Sequence, residues 1–200
     1  MTYFLWVLCA LLGYLLGGFS TGLLLSSLSK IDLRSKGSKS TGATNVTRVM
    51  GLSAGLATFL GDCAKAVLAM LLGRWIAGEP GGMIGGLFAV IGHNWPLYYR
   101  FRGGKGVACS VAVVFMHSPI VGLIAGAVAV LVIVITRFVS LGSLVFLALS
   151  TILMFILKGP WPLGIWALLL FLVATYRHRE NIKRLLVGKE NRFTAKKQDL

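Results

Sequence analysis

The stretch RFRGGKGVACS, residues 100–110, contains two adjacent glycines, a lysine and a further glycine just before a long apolar run. Glycines permit tight turns, so backbone N–H groups can converge on an anion at the start of the helix that the apolar run predicts. The pattern therefore indicates phosphate binding by Gly103, Gly104 and Lys105. The spacing is not that of a Walker A motif, so we do not expect nucleoside triphosphate hydrolysis.

A second polar stretch, KIDLRSKGSKSTGATNVTRVMG at residues 30–51, brings together hydroxyls, an amide and a guanidinium. Hydroxyls and amides donate hydrogen bonds to anions, and Arg48 can bind a phosphate through its planar fork. The alternative interpretation is an ordinary flexible loop whose positive charge only sets membrane topology. The candidate anion-binding residues of this stretch are Ser38, Thr41, Thr44, Asn45 and Arg48.

A third polar stretch, YRHRENIKRLLVGKENRF, occupies residues 176–193. His178, Asn181 and Arg184 are spaced three apart, which predicts that one helix face presents all three. Histidine could transfer a proton or donate a hydrogen bond, and Asn181 could polarise a carbonyl oxygen. The alternative is an amphipathic surface helix at the membrane boundary. We refer to residues 30–51, 100–110 and 176–193 as the first, second and third polar segments.

Two further polar pairs interrupt apolar segments. His93 and Asn94, in IGHNWP, lie just before the second polar segment and are predicted to bind substrate, although an interfacial helix end would also explain them. Asp62 and Lys65 are three residues apart in another apolar segment, where they most simply neutralise each other as a structural pair. A relay of ions would need more ionisable groups, and we expect none near this pair.

The elements that position these residues are predicted by composition. Hydrophobic residues make up 56% of the chain, charged residues 13%, and the mean hydropathy is +0.83. These values predict an integral membrane protein. The net charge of +14 is explained by basic cytoplasmic loops, so we expect no nucleic-acid partner. The three cysteines lack ligand spacing and are expected to pack in apolar segments, without a metal, a cofactor or a disulfide.

The fold class predicted is an all-α integral membrane protein with seven transmembrane helices, its N-terminus outside and its C-terminus cytoplasmic. One span over residues 106–136 would be about 46 Å long, too long for a bilayer core, and His117-Ser118-Pro119 marks a break. Two spans there leave 17 of the 20 Lys and Arg residues on the inner side. The whole chain, 1–200, is predicted to form one membrane domain. Its spans are 3–28, 52–76, 81–99, 106–116, 119–136, 139–157 and 160–177, with cytoplasmic loops 29–51 and 100–105 and a cytoplasmic tail 178–200.

The three polar segments, taken in order, resemble the bacterial acyl-phosphate:glycerol-3-phosphate acyltransferase family (PlsY-like proteins). GSKSTGATNVTR resembles its first cytoplasmic signature, IGHNWPLYYRFRGGKGVA its second, and HRENIKRLLVGKE its third. Asp62 and Lys65 also fit the pattern of the family. One residue departs from it, because Lys39 stands where a glycine is usual.

The resemblance implies a seven-helix enzyme of the bacterial cytoplasmic membrane. It would move a fatty acyl group from acyl phosphate to the sn-1 hydroxyl of glycerol 3-phosphate, giving lysophosphatidic acid without a covalent enzyme intermediate. Its partners would be these two substrates and membrane lipid, with no obligate protein partner. Ser38 and Lys105 would act in catalysis with His178 and Asn181, which would work around the reacting carbonyl. Ser38, Arg48, Gly103, Gly104 and Lys105 would hold phosphates, and Glu190 would be structural.

Two other functions use the same features. A carrier or channel for a phosphorylated solute would need polar groups continuing across the membrane and internal symmetry, and only Asp62 and Lys65 lie deep. A non-catalytic lipid-binding protein would need basic residues but not the Gly, Ser, Asn and His pattern.

Overall fold

A computed structural model describes residues 1–193, and in this part of the chain every regular element is helical. A short helical turn, Leu97–Tyr99, follows α4, and Pro160–Gly164 forms another before α8. The α-helices are α1 (Thr2–Gly18), α2 (Thr21–Leu28), α3 (Ala43–Met50), α4 (Leu52–Asn94), α5 (Val107–His117), α6 (Pro119–Thr136), α7 (Val139–Lys158), α8 (Ile165–Arg177) and α9 (Arg179–Leu186).

The described residues group into two compact units, residues 1–113 and Val114–Phe193. In the first unit α4 reverses direction at Ala77 and Gly78, where the backbone leaves the helical conformation. A Cβ added to Gly85 would lie 3.3 Å from the carbonyl carbon of Ala69. In a straight helix these two residues would be about 24 Å apart. Helix α4 is therefore a hairpin of two arms, residues 52–76 and 79–94.

Glycines let α1 pack closely against the second arm of α4. A Cβ on Gly13 would lie 2.9 Å from the Cα of Gly85, and one on Gly17 would lie 2.5 Å from the Cα of Ala89. Close backbone contact through small residues is the usual mode of helix association within lipid, where the hydrophobic effect does not drive it. The glycine-rich stretches GYLLGG (13–18) and GGMIGG (81–86) therefore contact each other through Gly13 and Gly85.

The second unit is built from α6, α7 and α8. Two residues, Arg137 and Phe138, connect α6 to α7, so these helices are antiparallel neighbours. A Cβ on Gly142 would lie 2.9 Å from the carbonyl oxygen of Ala129, which shows close packing. The hydroxyl of Thr151 in α7 donates to the carbonyl oxygen of Ala167 in α8 over 3.1 Å.

The predicted all-α membrane architecture is confirmed at the level of composition and length. Among the described residues, five helical segments are long and apolar enough to cross a membrane, and the shorter α5 is also apolar. The first predicted span, 3–28, contains a break at Phe19 and Ser20 between α1 and α2. The single-domain organisation stays a prediction, and residues 194–200 of the predicted cytoplasmic tail lie outside the described residues. The five segments are Thr2–Leu28, Leu52–Tyr99, Pro119–Thr136, Val139–Lys158 and Pro160–Arg177.

We predict that Gly17→Leu disrupts the packing of α1 on α4. A side chain there would overlap the backbone of Ala89, which cannot move aside without shifting a helix. Overpacking of this kind costs about 1–3 kcal/mol or more, so the midpoint of thermal unfolding in detergent should fall by several degrees. Gly126→Ala is the matched control, because the nearest atom to its added Cβ is the Phe115 Cζ at 3.9 Å. Equal melting temperatures for the two variants would contradict the prediction.

Candidate active site

In the first polar segment the side chain of Asn45 organises the loop. Only 1% of Asn45 is exposed, and its Oδ1 accepts a hydrogen bond of 2.8 Å from the backbone N–H of Ser38. Its amide nitrogen lies within hydrogen-bonding distance of three carbonyl oxygens, those of Leu33, Lys36 and Ser40. Every polar atom of this side chain is thus engaged by loop backbone. Asn45, which is predicted to contact substrate, lies at the centre of the loop that presents Ser38.

Two residues beside Ser38 adopt left-handed backbone conformations. Gly37 has φ +59°, which glycine accepts without strain. Lys39 also has φ +59°, and a residue with a Cβ pays about 1 kcal/mol or more for this conformation. The structure thus shows the backbone conformation at the one position that departs from the family pattern. Lysine replaces the usual glycine at a position whose backbone favours glycine, and the loop retains the left-handed turn.

The other predicted residues of the first polar segment differ in exposure. Thr41 is only 2% exposed, and its hydroxyl has no hydrogen-bond partner within residues 1–193. Ser38, Thr44 and Arg48 are half-buried, and Arg48 lies in the last turn of α3. The half-buried hydroxyls and guanidinium can reach a ligand, whereas Thr41 is part of the loop interior.

The second polar segment forms a glycine turn that leads into α5. The N–H of Gly104 donates to the carbonyl oxygen of His93 over 3.1 Å, and Gly106 has φ +77° immediately before the helix. A Cβ on Gly103 would lie 2.5 Å from the Pro96 Cδ, so this turn requires glycine. Lys105 is half-buried at the N-terminus of α5, as the sequence analysis predicts.

His93 and Asn94 lie beneath this turn. His93 is 5% exposed, and its Nδ1 lies 2.9 Å from the Nζ of Lys65 and 3.5 Å from Oδ1 of Asp62. The expectation that no further ionisable group lies near Asp62 and Lys65 is therefore wrong. This contact could not be predicted from the sequence. His93 and Lys65 are 28 positions apart, and only the three-dimensional hairpin of α4 brings them together. Asn94 is fully buried, and its amide has no hydrogen-bond partner among residues 1–193.

Arg34 joins the first and second polar segments, and it is not among the residues predicted from the sequence to form the site. Its guanidinium donates to the carbonyl oxygens of Arg102, over 3.0 Å, and Tyr99, over 3.3 Å. It also lies 5.8 Å from the centre of the Tyr99 ring. Its backbone N–H donates to Asp32, which stabilises the local turn. Nothing in its spacing distinguishes Arg34 from the other cations of a basic loop.

The third polar segment belongs to the second unit. His178 lies between α8 and α9 and is 1% exposed, and its Nδ1 is 2.8 Å from the carbonyl oxygen of Ala174. A carbonyl oxygen can only accept, so Nδ1 carries a proton. The predicted continuous helical face is interrupted, because α8 ends at Arg177 and α9 begins at Arg179.

The Glu190 carboxylate binds two other residues of the third polar segment, Asn181 and Arg184. Its carboxylate accepts hydrogen bonds from Asn181, over 2.6 Å, and Ser140, over 3.0 Å, and pairs with Arg184 over 2.9 Å. The Glu190 side chain is only 5% exposed. A buried carboxylate with this many donors is a structural node. The structure thus supports the expectation that Glu190 is structural, and it shows that Asn181 and Arg184 share one face of α9.

The predicted site residues therefore fall into two groups. The first unit contains the candidates from Ser38 to Lys105, with the first and second polar segments held together by Arg34. The second unit contains His178 and Asn181. No cluster of three or more histidine, cysteine or acidic side chains that could hold a metal ion occurs within residues 1–193.

Comparison with known proteins gives one consistent match. The family model for glycerol-3-phosphate acyltransferase matches residues 7–188. The glycerol-3-phosphate acyltransferase of Thermoanaerobacter pseudethanolicus is 44% identical over 191 residues, covering 95% of this chain and 96% of that protein. The corresponding protein of Clostridioides difficile is 42% identical over 205 residues, covering 99% and 100%.

Solved structures agree with this match. The crystal structure of PlsY (YgiH), an integral membrane glycerol 3-phosphate acyltransferase, in its glycerol 3-phosphate form has a TM-score of 0.89 and 36% identity, covering 94% of this chain and 96% of that one. The lysophosphatidic acid form gives a TM-score of 0.87 and 34% identity, covering 95% and 96%. Since sequence and structure both match over nearly the full length, this chain is an acyltransferase that belongs to the glycerol-3-phosphate acyltransferase family.

Proposed function

We propose that this enzyme transfers a fatty acyl group from acyl phosphate to the sn-1 hydroxyl of glycerol 3-phosphate. The product would be lysophosphatidic acid, a precursor in phospholipid biosynthesis. One observation carries the proposal. Arg34 ties two glycine-containing, cationic loops together, which suits a reaction in which both substrates and the product carry phosphate. The solved PlsY structures, in glycerol 3-phosphate and lysophosphatidic acid forms, support the acceptor and the product.

The protein is a multi-pass bacterial membrane protein, and we propose that it has seven spans. Counting each arm of α4 separately and adding the short α5 gives this number. The distribution of Lys and Arg then supports an outside N-terminus, a cytoplasmic C-terminus and a cytoplasmic active site. That location would give the polar segments access to water-soluble glycerol 3-phosphate.

The site residues are assigned by combining their geometry with the family pattern. Ser38, Arg48 and the turn from Gly103 to Lys105 are proposed to hold phosphate groups, and Thr44 to assist them. Thr41, Asn45, His93 and Asn94 are buried, so their contribution would be to shape the loops. In the second unit, His178 and Asn181 are proposed to act at the acyl carbonyl.

The proposed reaction is direct transfer. The sn-1 oxygen attacks the carbonyl carbon of the mixed anhydride, the bond from that carbon to the phosphate oxygen breaks, and inorganic phosphate leaves with the electron pair. The hydroxyl proton would pass to a substrate phosphate, because no side chain of the first two polar segments is a good base at neutral pH. Positioning of two anionic substrates and stabilisation of the oxyanion would supply most of the acceleration.

An apolar groove in the first unit suits the acyl chain. Its volume is about 370 Å³, and its lining is almost wholly aliphatic and aromatic. Acyl groups gain binding energy from such surfaces in proportion to the area removed from water. The lining residues are Leu12, Leu15, Leu16, Phe19, Lys65, Leu68 and Tyr98.

We predict that the purified protein forms lysophosphatidic acid and inorganic phosphate from acyl phosphate and glycerol 3-phosphate. Acyl coenzyme A at the same concentration should give no product. Its acyl group is attached to sulfur, so no phosphate is bonded to the carbonyl carbon for the second polar segment to bind. Mass spectrometry of the extracted lipid and a phosphate assay would measure both products. Absence of product together with uptake of glycerol 3-phosphate into proteoliposomes would instead support the carrier alternative.

We predict that Arg48→Met raises the KM for a phosphorylated substrate about 10- to 100-fold. A charge-assisted hydrogen bond contributes about 1.5–3 kcal/mol, which corresponds to this range. Initial rates with each substrate varied in turn would identify which KM changes. Lys36→Met is the matched control, since it removes one positive charge from an exposed side chain of the same segment. Equal KM values for both variants would contradict the prediction, because they would show that Arg48 contributes only its positive charge and no direct hydrogen bond to phosphate.

We predict that Glu190→Gln lowers kcat at least tenfold, because an amide cannot accept hydrogen bonds from Asn181, Ser140 and Arg184 together. Asn181 would then lose the contact that holds its side chain. Steady-state rates and the thermal unfolding midpoint measure the effect. Glu180→Gln, which changes an exposed carboxylate on α9, should change neither quantity. A fully active Glu190→Gln variant would contradict the prediction that the Glu190 carboxylate holds Asn181 in the position that catalysis needs.

A further inference from the structure

A buried charged cluster lies in the first unit, and the proposed acyl transfer step does not use its charges. Asp62 is 1% exposed, Lys65 8% and His93 5%, all within apolar helical segments. Lys65 Nζ lies 2.8 Å from Oδ1 of Asp62 and 2.9 Å from Nδ1 of His93. Charges that are buried in a membrane segment are costly, so such a cluster is expected to serve a purpose.

The Lys65 ammonium group has three N–H bonds and three acceptors. Besides Asp62 and His93, it donates to the carbonyl oxygen of Phe19. Phe19 lies in the break between α1 and α2, where the backbone leaves the helical conformation. A carbonyl freed by such a break needs a partner within an apolar environment. Lys65 therefore stabilises the break through which the chain approaches the first polar segment.

The same cluster supports the second polar segment through His93. An ammonium group can only donate, so Nδ1 of His93 accepts and the ring proton lies on Nε2. The Nε2 edge of the ring faces Gly104, because a Cβ added to Gly104 would lie 2.9 Å from Cε1 and 3.1 Å from Cδ2 of His93. The carbonyl oxygen of His93 also accepts from the N–H of Gly104 over 3.1 Å. His93 thus contacts the glycine turn with both its main chain and its ring.

We propose that Lys65 is a positioning residue of the acyltransfer reaction. Its amine fixes the His93 ring under the Gly103–Lys105 turn and fixes the α1–α2 break that precedes the first polar segment. Asp62 neutralises Lys65 and orients it. The inference rests on the proposed function, in which the Gly103–Lys105 turn binds phosphate. A single buried amine would then set the relative placement of two anion-binding loops.

The test is the kinetics and stability of Lys65→Met, a variant of similar length without the amine. A shift of about 1 Å in a binding loop can lower catalytic efficiency about 100-fold. We expect the KM for glycerol 3-phosphate or acyl phosphate to rise 10- to 100-fold, with kcat changed less than about threefold. Arg74→Met is the matched control. It removes the partly exposed Arg74–Glu79 ion pair beside the reversal of α4 and should leave both KM values unchanged.

A double variant, Asp62→Asn with Lys65→Met, separates positioning from stability. Without the lysine, the single variant leaves Asp62 as a buried carboxylate that has lost its ammonium partner, so the melting temperature of the variant should fall. The double variant removes that charge, so the melting temperature should recover while the KM stays raised. A KM that returns to the wild-type value together with the melting temperature would overturn the inference, as would a wild-type KM in a folded Lys65→Met.

Failure of the proposed function gives a different result. Binding of glycerol 3-phosphate, measured by calorimetry in detergent, does not depend on the acyl donor. Wild-type protein that binds glycerol 3-phosphate but gives no product with acyl phosphate would contradict the proposed donor. In that case weaker binding to Lys65→Met than to Arg74→Met would still support positioning, and equal binding would overturn it.

Discussion

Polar groups within an apolar, membrane-spanning chain must find partners inside the protein, and the first unit depends on how Lys65 meets this constraint. A break in a helix exposes a carbonyl, and a buried carboxylate exposes a charge. One ammonium group satisfies both, and it also bonds to the ring of His93. The helix break, the α4 hairpin and the glycine turn are thereby connected at one buried point. The buried Lys65 ammonium group thus stabilises the conformation of the chain segments that lead into the polar loops.

Each unit also uses one polar side chain to organise a stretch of backbone that lacks regular structure. In the first unit Asn45 engages carbonyls and an N–H of the loop around Ser38. In the second unit Glu190 holds Asn181, Arg184 and Ser140. Both side chains are almost fully buried, so water does not compete for their hydrogen bonds. Such centres allow short polar loops to keep a defined shape without a large hydrophobic core beneath them.

Much of the architecture follows from local patterns. Apolar length and the placement of Lys and Arg suffice to predict membrane helices, and glycine pairs at 13–18 and 81–86 indicate close helix contacts. Local patterns do not distinguish a ligand-binding side chain from one that binds its own backbone. Asn45 and Ser38 look equally suited to an anion in the sequence, yet only Asn45 is buried within the loop. Arg34 was overlooked for the same reason, since its partners lie more than 60 residues away.

The sequence by itself determined the all-helical membrane class of the protein and the three polar segments, because hydropathy, charge bias and short motifs are properties of neighbouring residues. Tertiary structure decided the roles within those segments. The reversal of α4 at Ala77 and Gly78 brings His93 onto Asp62 and Lys65, and no periodicity encodes that contact. Whether a polar side chain faces a substrate or a backbone carbonyl depends on burial and direction, which only the packed helices establish.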